Sequence, residues 1–338
     1  MDQQRYSCRQ TTITEPVLAE VIELVDNDAG LVASIAPGYG GELSSLRYRH
    51  EGNWLELLYR GNDFTPIDTW QGRAPLLWPA VGRSFTEEQI AEAHQTGEEP
   101  SMGRYRFGEN EYDIACHGFA MKKDWSVSSL DSDDESASAS CILKDDVESR
   151  YVYPFGFRLE VRYALVDDKI KISYEVNAAS DNESDMPFTI GNHISVNFPF
   201  VAGGSWNEGI LRGPATLEYG ISDVSLFDGS TSPKDFRPGI QLTDPKVCNM
   251  VSGGFDGESY LELVQPGAFN IRVSQEVDSK WQLDDHCYFV LWGDPEQRFI
   301  CPEPWLGGPN SLNTGEGLVR LPPGESFTWT MTIEIIPG

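Results

Sequence analysis

Arg158-Leu159-Glu160-Val161-Arg162-Tyr163-Ala164-Leu165-Val166, then Asp167-Asp168, then Lys169-Ile170-Lys171-Ile172-Ser173-Tyr174-Glu175-Val176, is the stretch on which the fold class turns. Leu159, Val161, Tyr163 and Leu165 alternate with Arg158, Glu160 and Arg162, and after the two aspartates Ile170, Ile172, Tyr174 and Val176 alternate again. Successive side chains of a strand point to opposite faces, so the stretch reads as a β-hairpin with one face buried and one solvated. The same logic recurs elsewhere. Phe327, Trp329, Met331, Ile333 and Ile335 alternate with polar residues, and Leu261 and Leu263 are joined to Ile271 and Val273 through Pro266-Gly267. Near the start, residues 21–25 and 31–35 flank the turn Asp26-Asn27-Asp28-Ala29-Gly30. Helix is scarce. The best candidate is 87–93, with Thr86 as N-cap and Gln89 completing a capping box, in a polar stretch ending near Gly103 that reads as an insertion between strands. Many closely spaced strands without alternating helices predict an all-β fold, a large antiparallel sandwich forming one domain over 1–338.

Composition narrows the partners. The 338 residues carry a formal charge of −28, a field that repels phosphate backbones and anionic lipid, so neither nucleic acid nor a membrane surface is expected as partner. The acidity is open between a saline habitat and ordinary solubility. No stretch is apolar enough to span a bilayer, and Met1-Asp2-Gln3-Gln4-Arg5 leads into no apolar run, so no signal peptide is expected. The 6 Cys are scattered singly, which predicts free thiols and a cytoplasmic location. The acidic run Asp131-Ser132-Asp133-Asp134-Glu135-Ser136 reads as a solvated loop.

Three short stretches each set an acid–base side chain among apolar and aromatic neighbours: Cys116-His117-Gly118-Phe119, Gly191-Asn192-His193-Ile194 and Pro302-Glu303-Pro304-Trp305. With only 5 His in the chain, two in such company are informative. Phe188, Ile190, Ile194, Val196 and Phe198 share one parity, and Gly191, His193, Ser195 and Asn197 the other. On a strand the second set would face a polar groove, with Gly191 leaving room for a ligand beside His193. Glu303 sits between two prolines that hold the backbone extended, and a carboxylate in rigid apolar surroundings has a raised pKa and a fixed aim, as a general base needs. The Gly-rich stretch 307–317 reads as a loop wrapped near a site. A Cys116–His117 nucleophile pair is discounted, because adjacent strand residues point apart. Two His and a Glu are also zinc donors, but proton transfer and hydroxyl binding account for them, so no metal and no cofactor is expected.

Several motifs together resemble the aldose 1-epimerase (galactose mutarotase-like) family. These are Gly40-Gly41-Glu42-Leu43, Pro75-Leu76-Leu77-Trp78-Pro79-Ala80-Val81-Gly82-Arg83, His117-Gly118-Phe119-Ala120, Gly191-Asn192-His193, Glu303-Pro304-Trp305, Leu312-Asn313-Thr314-Gly315-Glu316-Gly317 and Leu321-Pro322-Pro323-Gly324-Glu325, in order over nearly the whole chain. The resemblance implies a β-supersandwich whose groove binds a hexose without cofactor, with His193 as general acid, Glu303 as general base, and His117 and Arg83 as sugar-binding groups. It implies interconversion of α and β anomers by ring opening and reclosure, with Trp78 or Trp305 covering a sugar face. Hexose-6-phosphate 1-epimerase and an idle carbohydrate-binding protein are the alternatives. One departure stands out: the Arg expected after Ala120 is Met121, so either the substrate is uncharged or Lys122 or Lys123 substitutes. Gly254-Phe255-Asp256 is a poor match to a sugar-binding Asp. Activity should be bell-shaped in pH, with Glu303 setting the acid limb and His193, raised by the carboxylate, the alkaline limb.

Overall fold

The opening hairpin lies at the centre of the molecule. Strands Phe157–Val166 and Lys169–Ala178 pair antiparallel with Leu159 opposite Val176 and Leu165 opposite Ile170. Asp167 and Asp168, both at positive φ, make the two-residue turn whose twist matches the flanking strands. The inward residues of both strands are buried, and those of Ser326–Pro337, which pairs with Lys169–Ala178, continue the same apolar face through Phe327, Trp329, Met331 and Ile333. The structure is a computed structural model describing residues 4–15, 17–61 and 72–338; the reading of Met1 to Gln3 lies outside these.

Three antiparallel sheets carry the fold. A nine-stranded sheet runs from Ile240–Gln241 at one edge, through the central hairpin, to Ser126–Ser132 at the other. A five-stranded sheet, Tyr6–Ile13 to Asn53–Glu56, packs against the nine-stranded sheet near Ala137–Lys144 and Phe157–Val166. An eight-stranded sheet, which includes Cys287–Asp294 and Phe299–Leu306, packs against strands Ser259–Val264 and Phe269–Val277. One hydrophobic cluster runs through all three, so this is a single all-β domain of the supersandwich kind. The early hairpin forms as read, with Val25 opposite Val32, and so does the one at Pro266-Gly267, with Leu263 opposite Ile271. The acidic run caps a hairpin: Asp131 and Ser132 end a strand, and the Asp133 carboxylate accepts from the N–H of Glu135 and Ser136 in the turn. The helix spans Glu87–Thr96, a turn longer than read, with the capping box of Thr86 and Gln89 in place.

The stretch expected as one strand over 188–198 is broken. Met186–Phe188 pairs with Val319–Leu321, while Ile190–Asn192 and Val196–Asn197 pair with Phe299–Leu306. Its parity nonetheless holds: Phe188, Ile190, Ile194, Val196 and Phe198 are buried core. Asn192 is the exception, a buried amide that donates to the carbonyl of Ala74 and the hydroxyl of Tyr174, both at 3.0 Å. The central hairpin thereby fixes the residue next to His193, since a buried amide left unpaired would cost about 1–3 kcal/mol.

The His117 segment is held by backbone geometry. His117 and Gly118 both adopt left-handed φ, 65° and 72°, and the N–H groups of Phe119 and Ala120 converge on the carbonyl of Trp78 at 3.0 and 3.1 Å. A Cβ on Gly118 would stand 2.2 Å from that carbonyl oxygen. Gly118→Ala is therefore expected to lower the unfolding free energy by about 1–3 kcal/mol in urea titration. A wild-type midpoint would show that this turn does not anchor the segment.

Candidate active site

Pairing of Gly191 with Trp305 and of Val196 with Ile300 defines one register, which runs through the break and sets His193 opposite Glu303 and Ser195 opposite Cys301. Gly191–Trp305, His193–Glu303 and Ser195–Cys301 share a face. His193 Nε2 lies 3.4 Å from Glu303 Oε1, and Cys301 Sγ lies 3.3 Å from Ser195 Oγ. Gly191 has its own role here. A Cβ there would stand 2.8 Å from Trp305 Cδ1, so the missing side chain makes room for the indole across the strand, not for a ligand. That indole N–H donates to Glu303 Oε2 at 3.2 Å, so a ring contacts each carboxyl oxygen and fixes its plane.

The pair stands in a cleft of about 520 Å³ whose lining includes Arg83, His117, Trp292 and Trp305. All four residues singled out from the sequence, His193, Glu303, His117 and Arg83, therefore meet in one place. The His117 ring lies 5.4 Å from the His193 ring and 5.7 Å from Trp305. Its Nδ1 accepts from the N–H of Gly82 at 3.1 Å, which leaves Nε2 as the protonated nitrogen. Burial, then the positive charges of Arg83 and Lys122, push the His117 pKa down to about 4, so it is a neutral donor of fixed tautomer. Arg83 Nη2 bonds Glu99 Oε2 at 2.7 Å. The loop after Phe299–Leu306 holds the Arg83 segment: Asn310 N–H donates to the Arg83 carbonyl at 2.7 Å, and Pro309 lines the cleft, as the Gly-rich stretch suggested.

Electrostatics depart from the sequence expectation. Burial lifts Glu303 well above the usual carboxylate range, against the indole hydrogen bond. Burial also drives His193 well below the usual imidazole range, with His117 adding to the fall, so the carboxylate does not raise it. Burial thus favours the uncharged form of both residues, and a proton on Glu303 is within reach of His193. Cys116 also lines the cleft, so strand alternation does not separate it from His117 as argued above. What disqualifies it as a nucleophile is burial, which pushes its thiol up to about 11.

Other expectations fail on packing. Trp78 is fully buried in the core and covers no ligand, whereas Trp292, unnoticed in the sequence, is 40% exposed in the cleft with its ring 5.9 Å from His193. The only signal for it was an aromatic closing the apolar run 287–292. Met121 packs on the cluster of Leu77, Val81 and Trp305. Lys123 is tied to Asp146 and Glu148 at 3.0 Å each and lines a different recess with Lys122, whose charge nonetheless reaches His117. Asp256 is exposed and pairs with Arg237 outside the cleft. Cys301 joins His193 and Glu303 in a set of donors within 4.8 Å of one another, which could hold a soft cation.

A family model described as aldose 1-epimerase matches residues 21–334. The chain belongs to the aldose 1-epimerase family. Among curated relatives, the plasmid LacX protein of Lactococcus lactis is 25% identical over 296 residues, covering 84% of this chain and 87% of that one. A galactose mutarotase-like protein from Clostridium acetobutylicum superposes with TM-score 0.75 at 17% identity, covering 99% and 100% of the two chains. A galactose 1-epimerase from Lactobacillus acidophilus does so with TM-score 0.69 at 16% identity, covering 99% and 100%. Family membership implies a sugar substrate. Among the described residues, no helix is long and apolar enough to cross a membrane.

The fixed tautomer has a spectroscopic signature. Nitrogen-15 spectra of His117 should show a neutral ring protonated at Nε2 at pH 5.5, because its pKa of about 4 leaves it uncharged there. A ring that protonates near ~6.5 would contradict the assignment.

Proposed function

We propose that this protein is a mutarotase, interconverting the α and β anomers of a hexose with His193 and Glu303 as the proton-transfer pair. The observation that carries the reading is the 3.4 Å contact of His193 Nε2 with Glu303 Oε1, buried at the cleft lining beside the neutral donor His117. The whole 1–338 domain acts as one unit, and the six free thiols support a cytoplasmic location.

Ring opening needs the anomeric hydroxyl deprotonated while the ring oxygen is protonated. Moving a proton from Glu303 to His193 gives a carboxylate and an imidazolium without changing the net charge. Glu303 then takes the O1 proton, the O1–C1 bond becomes a carbonyl, and the C1–O5 electron pair goes to O5, which takes the His193 proton. The open-chain aldehyde thus stands beside a neutral pair, the protonation state favoured in the empty cleft. Rotation about C1–C2 and closure with the roles reversed gives the other anomer. His117 Nε2–H and the Arg83 guanidinium are placed to hold hydroxyls, and Trp292 offers an aromatic face to the apolar side of a pyranose. The chemistry uses no cofactor or metal: the two residues that a cation would share with Cys301 are both engaged in moving protons.

Each positioned acid or base is worth roughly 10²–10⁴ in rate. Glu303→Gln and His193→Asn should each cut turnover about 10²-fold or more while sugar still binds. Near wild-type turnover in either variant would refute the pair, and loss of sugar binding in both would make them ligands. The pH profile follows from the directions of the shifts. On acidification the pair gains a proton at His193, held below the usual imidazole range, so activity persists below pH ~6.5. On alkalinisation it loses its last proton from Glu303, held above the usual carboxylate range, which sets the alkaline limb. The limbs are thus reversed from the sequence expectation, because burial outweighs the mutual attraction. A kcat/KM profile that halves near pH ~6.5 on acidification would oppose this.

A further inference from the structure

The polar insertion before Gly103 packs behind one wall of the cleft, whose lining there is Ser222, Asp223 and Ser225. Phe85 and Ala93, with Ile90 against them, pack on Val224 and Leu226 from the turn between strands Ala215–Ile221 and Phe227–Pro233, a small core separate from the main one. Polar contacts stitch the same wall: His94 Nε2 to Asp223 at 3.3 Å, and Ser225 Oγ donating to Glu99 Oε1 at 3.0 Å. The other oxygen of Glu99 is the partner of Arg83. Glu99 therefore joins the insertion to the cation of the cleft and to the opposite turn.

We propose that Glu99 makes this cleft selective for uncharged sugars against sugar phosphates, by occupying and neutralising Arg83. The proposal rests on the mutarotase reading above and names the substrate class of that site. Arg83 is the cationic side chain lining the cleft, and a phosphate would bind it through paired N–H donors. Glu99 already holds Nη2, and Asp223, also in the lining, adds a second carboxylate. His117 is neutral, burial disfavours charge on His193 and Glu303, and Met121 packs behind Trp305 in place of a basic side chain. Among the described residues lining the cleft, an anionic substrate would thus meet one guanidinium already paired with Glu99 and the Asp223 carboxylate, with Lys122 acting from outside the lining, whereas hydroxyls meet donors and acceptors already in place. A bound phosphate would have to displace Glu99 or place two anions on one guanidinium. The side chains of Arg83 and Glu99 are 32% and 29% exposed, so solvent screens the penalty and leaves a discrimination of about tenfold.

The test compares a free aldose with its 6-phosphate in wild type, Glu99→Gln and Glu99→Asp. Binding is followed by the fluorescence of the cleft tryptophans and turnover by anomer exchange. Glu99→Gln keeps the shape of the wall and removes the charge, so the phosphate-to-neutral ratio of both affinity and kcat/KM should rise about tenfold, with an unchanged melting temperature. Glu99→Asp keeps the charge and should retain the wild-type ratio, and raising ionic strength should weaken the discrimination of wild type and Glu99→Asp but not that of Glu99→Gln. A ratio that Glu99→Gln leaves unchanged, or wild type that binds the phosphate as well as the free sugar, would overturn the proposal. Sugar binding with the expected ratios but no turnover would instead overturn the mutarotase reading and leave the selectivity standing.

Discussion

Burial of a histidine directly opposite a glutamate, across one antiparallel register, is the constraint that the rest of the site answers to. A lone charge in such a place is expensive, and even a paired one has to recover the hydration it loses. Here burial favours the uncharged form of each residue, so a proton can pass between them without a change in net charge. That arrangement avoids a persistent buried net charge and still keeps an acid and a base 3.4 Å apart. The neighbours follow the same logic. Trp305 donates to the carboxyl without adding charge, and His117 stays neutral because Gly82 occupies its Nδ1 and burial disfavours the imidazolium.

The register itself is held at a distance. Tyr174, from the hairpin that decides the fold class, accepts from Asn192, and the N–H of His193 donates to the carbonyl of Pro75 at 3.0 Å. The segment carrying the histidine is therefore tied to the nine-stranded sheet and to the Pro75–Arg83 stretch at once. The strand carrying the glutamate is tied through its pairing with Cys287–Asp294. Small errors in any of these contacts would be read directly as a change in the His193–Glu303 distance, since interiors transmit displacement rather than absorb it.

Much of this was legible in the sequence because period two survives into three dimensions. The alternation of Leu159 to Val176 placed the central hairpin, and the parity of Phe188 to Phe198 picked out the core residues even where the strand breaks, although of the other set only His193 lines the cleft. Thr86 and Gln89 announced the helix because a capping box is a local, self-contained arrangement. What escaped depended on partners far along the chain. Gly191 shows an absent side chain, but only the residue 114 positions later in the register, Trp305, says what fills the space. Trp78 and Trp292 look alike as letters, and only packing puts one in the core and the other in the cleft. Glu99 sits in a stretch that reads as generic polar insertion, and its bond to Arg83 depends on the packing of residues 85–93 against Val224 and Leu226 behind the cleft lining. The proton balance of the pair was misjudged for a related reason: proximity of opposite charges is visible in motifs, whereas the depth of burial is not.

The most direct test of the central claim is two-dimensional exchange spectroscopy of anomer interconversion with catalytic amounts of the protein across a panel of free aldoses. The account predicts cross-peaks between α and β anomers of at least one neutral hexose at rates well above the spontaneous ones. Rates equal to the protein-free sample for every sugar that binds the cleft would contradict it.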